Sequence, residues 1–171
     1  MGRILSIDYG RKRPGIAVTD PLQIIAQGLT TVATAELLVF LKDYVAREKV
    51  DRFVVGRPMQ PNGQPSENLQ RVEAFAKSLQ RQFPDIPLTW WDERYTSVMA
   101  HQTMRDAGLG KMKRRDKALV DEISATIILQ SFMEARFWRL CGLRFKGRLA
   151  ALVSTEAVGF LVNLFESYEW R

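Results

Sequence analysis

Cysteine and histidine are almost missing from this chain: Cys141 and His101 each stand alone among 171 residues. A single cysteine excludes an internal disulfide and any cysteine-based metal cluster, and it suits a reducing compartment. A single histidine excludes a two-histidine metal site within one chain. Serine-histidine-acid chemistry would have to run through that one ring, and nothing near it resembles a nucleophile elbow. The opening MGRILSIDYG has one basic residue and then a strand-like run. It lacks the apolar stretch and small-residue cleavage site of a signal peptide, which points to the cytoplasm. No apolar run reaches the roughly 20 residues that a membrane span wants. The nearest, residues 149–165, is interrupted by Glu156 and Asn163. The glycine spacings of a P-loop or a dinucleotide fingerprint are absent as well.

What is present fits a globular protein of one main domain, with 46% hydrophobic and 26% charged residues. The formal charge of +6 favours polyanionic partners, and its distribution says more than its size. Residues 105–117 hold six basic side chains against two acidic ones, and residues 136–148 hold five basic and no acidic ones. A phosphate backbone attracts such patches in a salt-dependent way, whereas a merely solvated face would only aid solubility.

Alternating and apolar runs predict strands at 3–9, 15–19 and 23–31, the last with a bulge near Gly28. The period then changes. Leu37, Leu38, Leu41 and Val45 share one helical face within 34–48. Residues 52–56 read as a buried strand, and 57–65 as a loop rich in proline. A second helix, capped by Ser66, carries the stripe Leu69, Val72, Ala76, Leu79 and Phe83. Residues 87–91 form a further strand ending in Asp92-Glu93-Arg94. Thr96 or Ser97 opens a helix through about 106, a basic loop spans 108–114, and 117–135 form a long helix. The sum is an α/β domain over 1–137 with a mixed sheet covered by helices. Residues 138–171 form an apolar and basic extension, read as a helix docked on the body or in a dimer interface.

Three acidic places stand out. Asp8 and the pair Asp92-Glu93 end strands, at the sheet edge where open α/β sheets hold ligands. Asp121 lies near the start of the last helix, on a stripe with Ala125, Ile128 and Phe132. Carboxylates brought together repel and raise one another's pKa, and a divalent cation with oxygen ligands, Mg²⁺ or Mn²⁺, relieves that repulsion. The plainer reading leaves each acid local. Asp8 then caps the turn at Gly10, Asp92 pairs with Arg94, and Asp121 balances Arg114, Arg115 or Lys117. The turn Gly10-Arg11-Lys12-Arg13 can meet a phosphate or be an ordinary charged hairpin. Arg57 can touch a phosphate or form a surface ion pair. Adjacent Trp90 and Trp91 must point to opposite faces of their strand.

The segments ILSIDYGRKRPGIAVTDP, FVVGRPMQPNG, WWDERYTSVMA and KALVDEISATIILQSFME together resemble the YqgF/RuvX family. The likeness covers about residues 3–135, with four motifs in family order. It implies an RNase H-like fold: a five-stranded mixed sheet, three antiparallel strands followed by parallel ones, with helices on both faces. It further implies a nuclease, described for the family as acting on pre-16S ribosomal RNA and earlier as Holliday-junction-resolvase-like. The catalytic and metal positions map to Asp8, Glu93 and Asp121, with one or two Mg²⁺ or Mn²⁺ ions. Gly10, Lys12, Arg13 and Arg94 map near the substrate. Two departures stand out: Pro14 replaces an aliphatic residue, and Arg57 replaces the leucine of a Gly-Leu-Pro turn.

The leading expectation is therefore a metal-dependent nuclease on structured RNA, with precursor ribosomal RNA or the small ribosomal subunit as partner. Lys111, Lys113, Arg114 and Arg115, with Arg11, Lys12 and Arg13, would grip the backbone, and Arg57 and Arg94 would steady the phosphate. A branched-DNA resolvase predicts a symmetric homodimer. A non-catalytic ribosome-associated RNA-binding protein predicts binding without turnover.

Overall fold

The computed structural model describes residues 1–59, 66–93 and 96–140. Five strands form one sheet: β1 (Arg3–Asp8), β2 (Gly15–Thr19), β3 (Ala26–Thr31), β4 (Val50–Arg57) and β5 (Leu88–Asp92), in the order β3-β2-β1-β4-β5. The first three are antiparallel, and β4 and β5 run parallel to β1. This is the mixed sheet expected from the sequence.

Alternation along the strands sorts the two faces. Leu5, Ile7, Phe53 and Val55 point to one side, under helices α1 (Leu37–Arg47) and α2 (Leu69–Gln82). Their layer includes Leu41, Val72 and Leu79. Ile4 and Val54 point to the other side, under α4 (Lys117–Leu140), where they meet Ala125, Ile128, Leu129 and Phe132. Each fully buried aliphatic side chain of this kind contributes about 1.5–3 kcal/mol. Helix α3 (Thr96–Asp106) packs on α4 through Ala100, Met104 and Ile123. Two buried polar ties fix α4 and β1 in place: Ser6 Oγ donates to the Ala125 carbonyl at 2.7 Å, and Thr19 Oγ1 accepts from the Ile4 amide at 2.9 Å.

Two local expectations need correction. Strand β3 begins at Ala26, because the Asp20 carboxylate accepts from the amides of Leu22, Ile24 and Ile25 and holds that stretch as a turn. Gln23 takes a left-handed φ of 59° within it. Helix α2 starts at Leu69, and Ser66 does not cap it. Among the described residues the Ser66 hydroxyl has no partner, and Asn68 directs its side-chain amide to the Tyr9 carbonyl at 2.9 Å instead. The predicted bulge is present: Ile16 pairs with Thr30 while Ala17 pairs with Gly28. Residues 141–171, most of the predicted extension, lie outside the described residues. Among the described residues, no helix is long and apolar enough to cross a membrane.

Candidate active site at the carboxyl edge of the sheet

Asp8 is the last residue of β1, and alternation puts it on the α4 side with Ile4 and Ser6. Gly15 is its antiparallel partner on β2. A Cβ on Gly15 would overlap the Asp121 carbonyl, so the missing side chain lets the first turns of α4 lie directly beside Asp8. On the other flank, a Cβ on Gly56 of β4 would overlap the Glu93 carboxylate. Two glycines thus make room for two acids, one on each side of a third.

The three acids are not equivalent. Asp8 and Glu93 share a side-chain hydrogen bond, which needs a proton on one of the two carboxyls. Burial first, and then the Asp8 charge, push Glu93 up to about 9, so it holds the proton and donates to Asp8. Asp8 rises to about 7, chiefly through burial and then through the Asp121 charge. Ser124, a buried residue one helical turn after Asp121, bonds to Asp8 and opposes that rise. Asp121 is raised by burial and held back by Arg13 and Lys117. Asp121 therefore acts on Asp8 electrostatically while facing cations of its own. Among the described residues, no three acidic, histidine or cysteine side chains stand close enough to enclose an ion. The local balance considered for Asp121 holds in part, but with Arg13 joining Lys117.

The donor set suits a hard cation. All the groups are carboxylates, and Glu93 Oε2 is buried with no hydrogen-bond partner among the described residues. A buried carboxylate oxygen without a partner is costly, and a divalent ion satisfies it. Glu122, the neighbour of Asp121 on α4, lies against Gly28 on β3, where burial raises its pKa.

The basic residues divide by position. Arg11, Lys12 and Arg13 are exposed on the turn after Asp8. That turn is tied down by Thr34, whose hydroxyl donates to the Gly10 carbonyl and whose amide donates to the Lys12 carbonyl. A Cβ on Gly10 would overlap the Arg13 carbonyl, so the turn is as tight as glycine allows. Lys111, Lys113 and Arg115 are exposed and Arg114 partly buried, just before α4. Arg57 sits elsewhere: it alternates away from Gly56 and lies 4.0 Å from Glu73 on α2. The structure does not bring it to the acids. Arg94 lies outside the described residues; Thr96, at the start of α3, donates its hydroxyl to the Glu93 carbonyl at 2.7 Å. Trp91 faces α4, donating to Ser131 at 3.1 Å and meeting Phe132 edge-on, while Trp90 is partly exposed.

The glycines give a direct check. Gly15→Ala meets rigid backbone and should cost about 3 kcal/mol or more, whereas Gly56→Ala meets a flexible carboxylate and should cost about 1 kcal/mol. Thermal unfolding of both variants measures the difference. Equal losses would mean that Gly15 does not seat α4.

Residues 2–135 match the family model described as RuvX: Holliday junction resolvase. The chain belongs to the RuvX family. A RuvX relative from Porphyromonas gingivalis, named "Putative pre-16S rRNA nuclease", is 62% identical over 134 residues, covering 78% of this chain and 97% of the relative. A relative of the same name from Bacteroides thetaiotaomicron is 58% identical over 136 residues, covering 80% and 99%. Among solved structures, T. thermophilus RuvC in complex with Holliday junction substrate aligns with a TM-score of 0.50 at 16% identity, covering 80% of this chain and 96% of that one. That likeness concerns the fold, the RNase H-like arrangement expected for RuvX proteins. The RuvX match ends at Ala135, before the extension at 138–171.

Proposed function

We propose that this chain is a metal-dependent nuclease that hydrolyses phosphodiester bonds in structured RNA, with precursor 16S ribosomal RNA as its substrate. The observation that carries the reading is the Asp8–Glu93 pair, with Glu93 Oε2 unpartnered among the described residues and exposed Arg11, Lys12 and Arg13 on the turn that follows Asp8. The names of the relatives at 58–62% identity favour the ribosomal substrate.

Asp8 and Glu93 would hold Mg²⁺ or Mn²⁺, with Asp121 completing the ligand set. Such an ion activates water and stabilises the charge that gathers on the phosphate under attack. Glu93 gives up its proton when the site is charged, so both carboxylates then act as acceptors. Ser124 keeps the Asp8 carboxylate pointed along the edge. Arg11, Lys12 and Arg13 on one side, and Lys111, Lys113, Arg114 and Arg115 on the other, neutralise flanking phosphates. In the reaction a water oxygen bonds to phosphorus, one P–O ester bond breaks, and the departing oxygen takes up a proton.

The family description favours a second reading, resolution of branched DNA. Incubating the protein with precursor 16S RNA and with a four-way DNA junction separates the two. The expected result is faster cleavage of the RNA in Mg²⁺ or Mn²⁺ and no cleavage in EDTA. Faster cleavage of the junction would replace the RNA reading, and salt-sensitive binding without turnover would favour a ribosome-associated binding protein.

A further inference from the structure

Met112 has no part in the chemistry above and is the most exposed large hydrophobic residue described, at 80%. It is flanked by exposed Lys111 and Lys113. A single exposed apolar side chain is common on a surface; this one is set apart by its place on a turn tied down at both ends, between two exposed lysines.

The segment that carries it is anchored at both feet. Behind it, the Leu109 amide donates to the Met104 carbonyl at 3.1 Å, and the Leu109 side chain packs with Ala100, Met104 and Ile123. In front, the Asp116 amide donates to the Lys113 carbonyl at 3.1 Å, and the Asp116 carboxylate accepts from the Ala118 amide at 2.9 Å, capping α4. Between these feet the Arg114 amide donates to the Gly110 carbonyl at 3.2 Å, closing a turn around Met112. Gly108 takes a φ of +69°, and a Cβ on Gly108 or Gly110 would meet nothing within 4 Å. The Gly108–Gly110 side of the turn therefore faces open space, on a fixed base. That base lies five residues, or about 7.5 Å of helix rise, before Asp121.

We propose that Met112 is a wedge that inserts between bases of the bound nucleic acid, at a step that is unpaired or at a duplex end. This role presupposes the nucleic-acid binding proposed above and specifies the kind of site bound. The neighbouring lysines and arginines take the phosphates, which leaves base faces as the apolar surface within reach of Met112. An unbranched, polarizable thioether adapts to the gap between two bases, and apolar side chains of this type unstack steps elsewhere. A step that is already unpaired costs least to open.

The test places 2-aminopurine at the single-strand to double-strand boundary of a short RNA and follows its fluorescence on binding. The protein carries Asp8→Asn, so that the RNA stays intact. Fluorescence should rise severalfold with this protein and should not rise when Met112→Ala is added. The salt dependence of affinity should stay the same, because the cations remain, and Met112→Leu should restore the rise. Met112 is exposed and makes no core contact, so the alanine variant should melt at the same temperature by circular dichroism, which separates loss of the wedge from loss of the fold. An equal rise in the alanine variant would overturn the wedge while leaving the nuclease reading intact. Absence of salt-dependent RNA binding in the starting protein would overturn both.

Discussion

Asp8→Asn should abolish nuclease activity, by about a thousandfold or more, which corresponds to a loss of roughly 4 kcal/mol in transition-state stabilisation. It should also stabilise the metal-free protein. Asp8 sits between two other acids, and its carboxyl is raised to about 7 by burial and by the Asp121 charge. Asparagine removes that charge and donates its amide to the Glu93 carboxylate, a bond the carboxyl pair makes only by keeping a proton. A rise from 3.8 to about 7 corresponds to a stability gain on the order of 4 kcal/mol above pH 7, or roughly 8–16 °C in Tm for a chain of this size. Activity and stability therefore move in opposite directions. A variant that lost activity and melted lower would mean that Asp8 holds the fold together rather than serving the chemistry. Full activity in the purified variant would remove Asp8 from the mechanism.

The second large effect is a dependence on pH that a cation should erase. Asp8 at about 7 and Glu93 at about 9 both lie above ordinary carboxylate values. The folded protein thus binds more protons than the unfolded chain across that range, and stability falls as pH rises. The contribution is whole below about pH 4, where both states are protonated, and is lost as pH passes through 7 and then 9. Asp20 works the other way. Its backbone amide bonds hold its pKa below the usual value, so its contribution is lost only in acid, outside this window. In EDTA the Tm should drop steadily between pH 5 and pH 9. With saturating Mg²⁺ the drop should shrink, since the ion replaces the protons. Calorimetry of Mg²⁺ binding at pH 7 in buffers of different ionisation enthalpy should then show net proton release. A Tm that rises with pH in EDTA, or ion binding without proton release, would contradict the charge state assigned to the pair.

Much of this site is written in strand ends. RILSID and LTWWD each run apolar until an acid, and that pattern places Asp8 and Glu93 at one edge once the strands are parallel neighbours of β4. The antiparallel opening was legible because Asp20-Pro21 and the alternating runs leave little choice. Less visible were the residues that create space. Gly15 and Gly56 look like ordinary strand glycines, and only the packed sheet shows that each leaves room for Asp121 or Glu93. Ser124 was hidden in the short run Ser124-Ala125-Thr126 of α4.

Arg57 takes the ion-pair alternative, with Glu73, for a reason the sequence does contain. It follows Gly56 by one residue, so if Gly56 faces the acids, Arg57 must face α2 and Glu73. Ser66 failed as a cap because Asn68, two residues later, opens α2 and spends its amide on Tyr9. Asp121 was correctly placed on the inner stripe of α4. Its attraction to Arg13 across the β1–β2 turn joins groups 108 residues apart, and no local pattern could reveal it.

The central claim is that Asp8, Glu93 and Asp121 take up one cation site when a divalent ion is supplied. Crystals soaked in Mn²⁺ test it through the anomalous signal of the metal. The account predicts a peak bound by Asp8 and Glu93, with Asp121 turned from Arg13 toward the ion, and no such peak in Asp8→Asn. A peak held by other residues, or saturating Mn²⁺ with none at this edge, would contradict it.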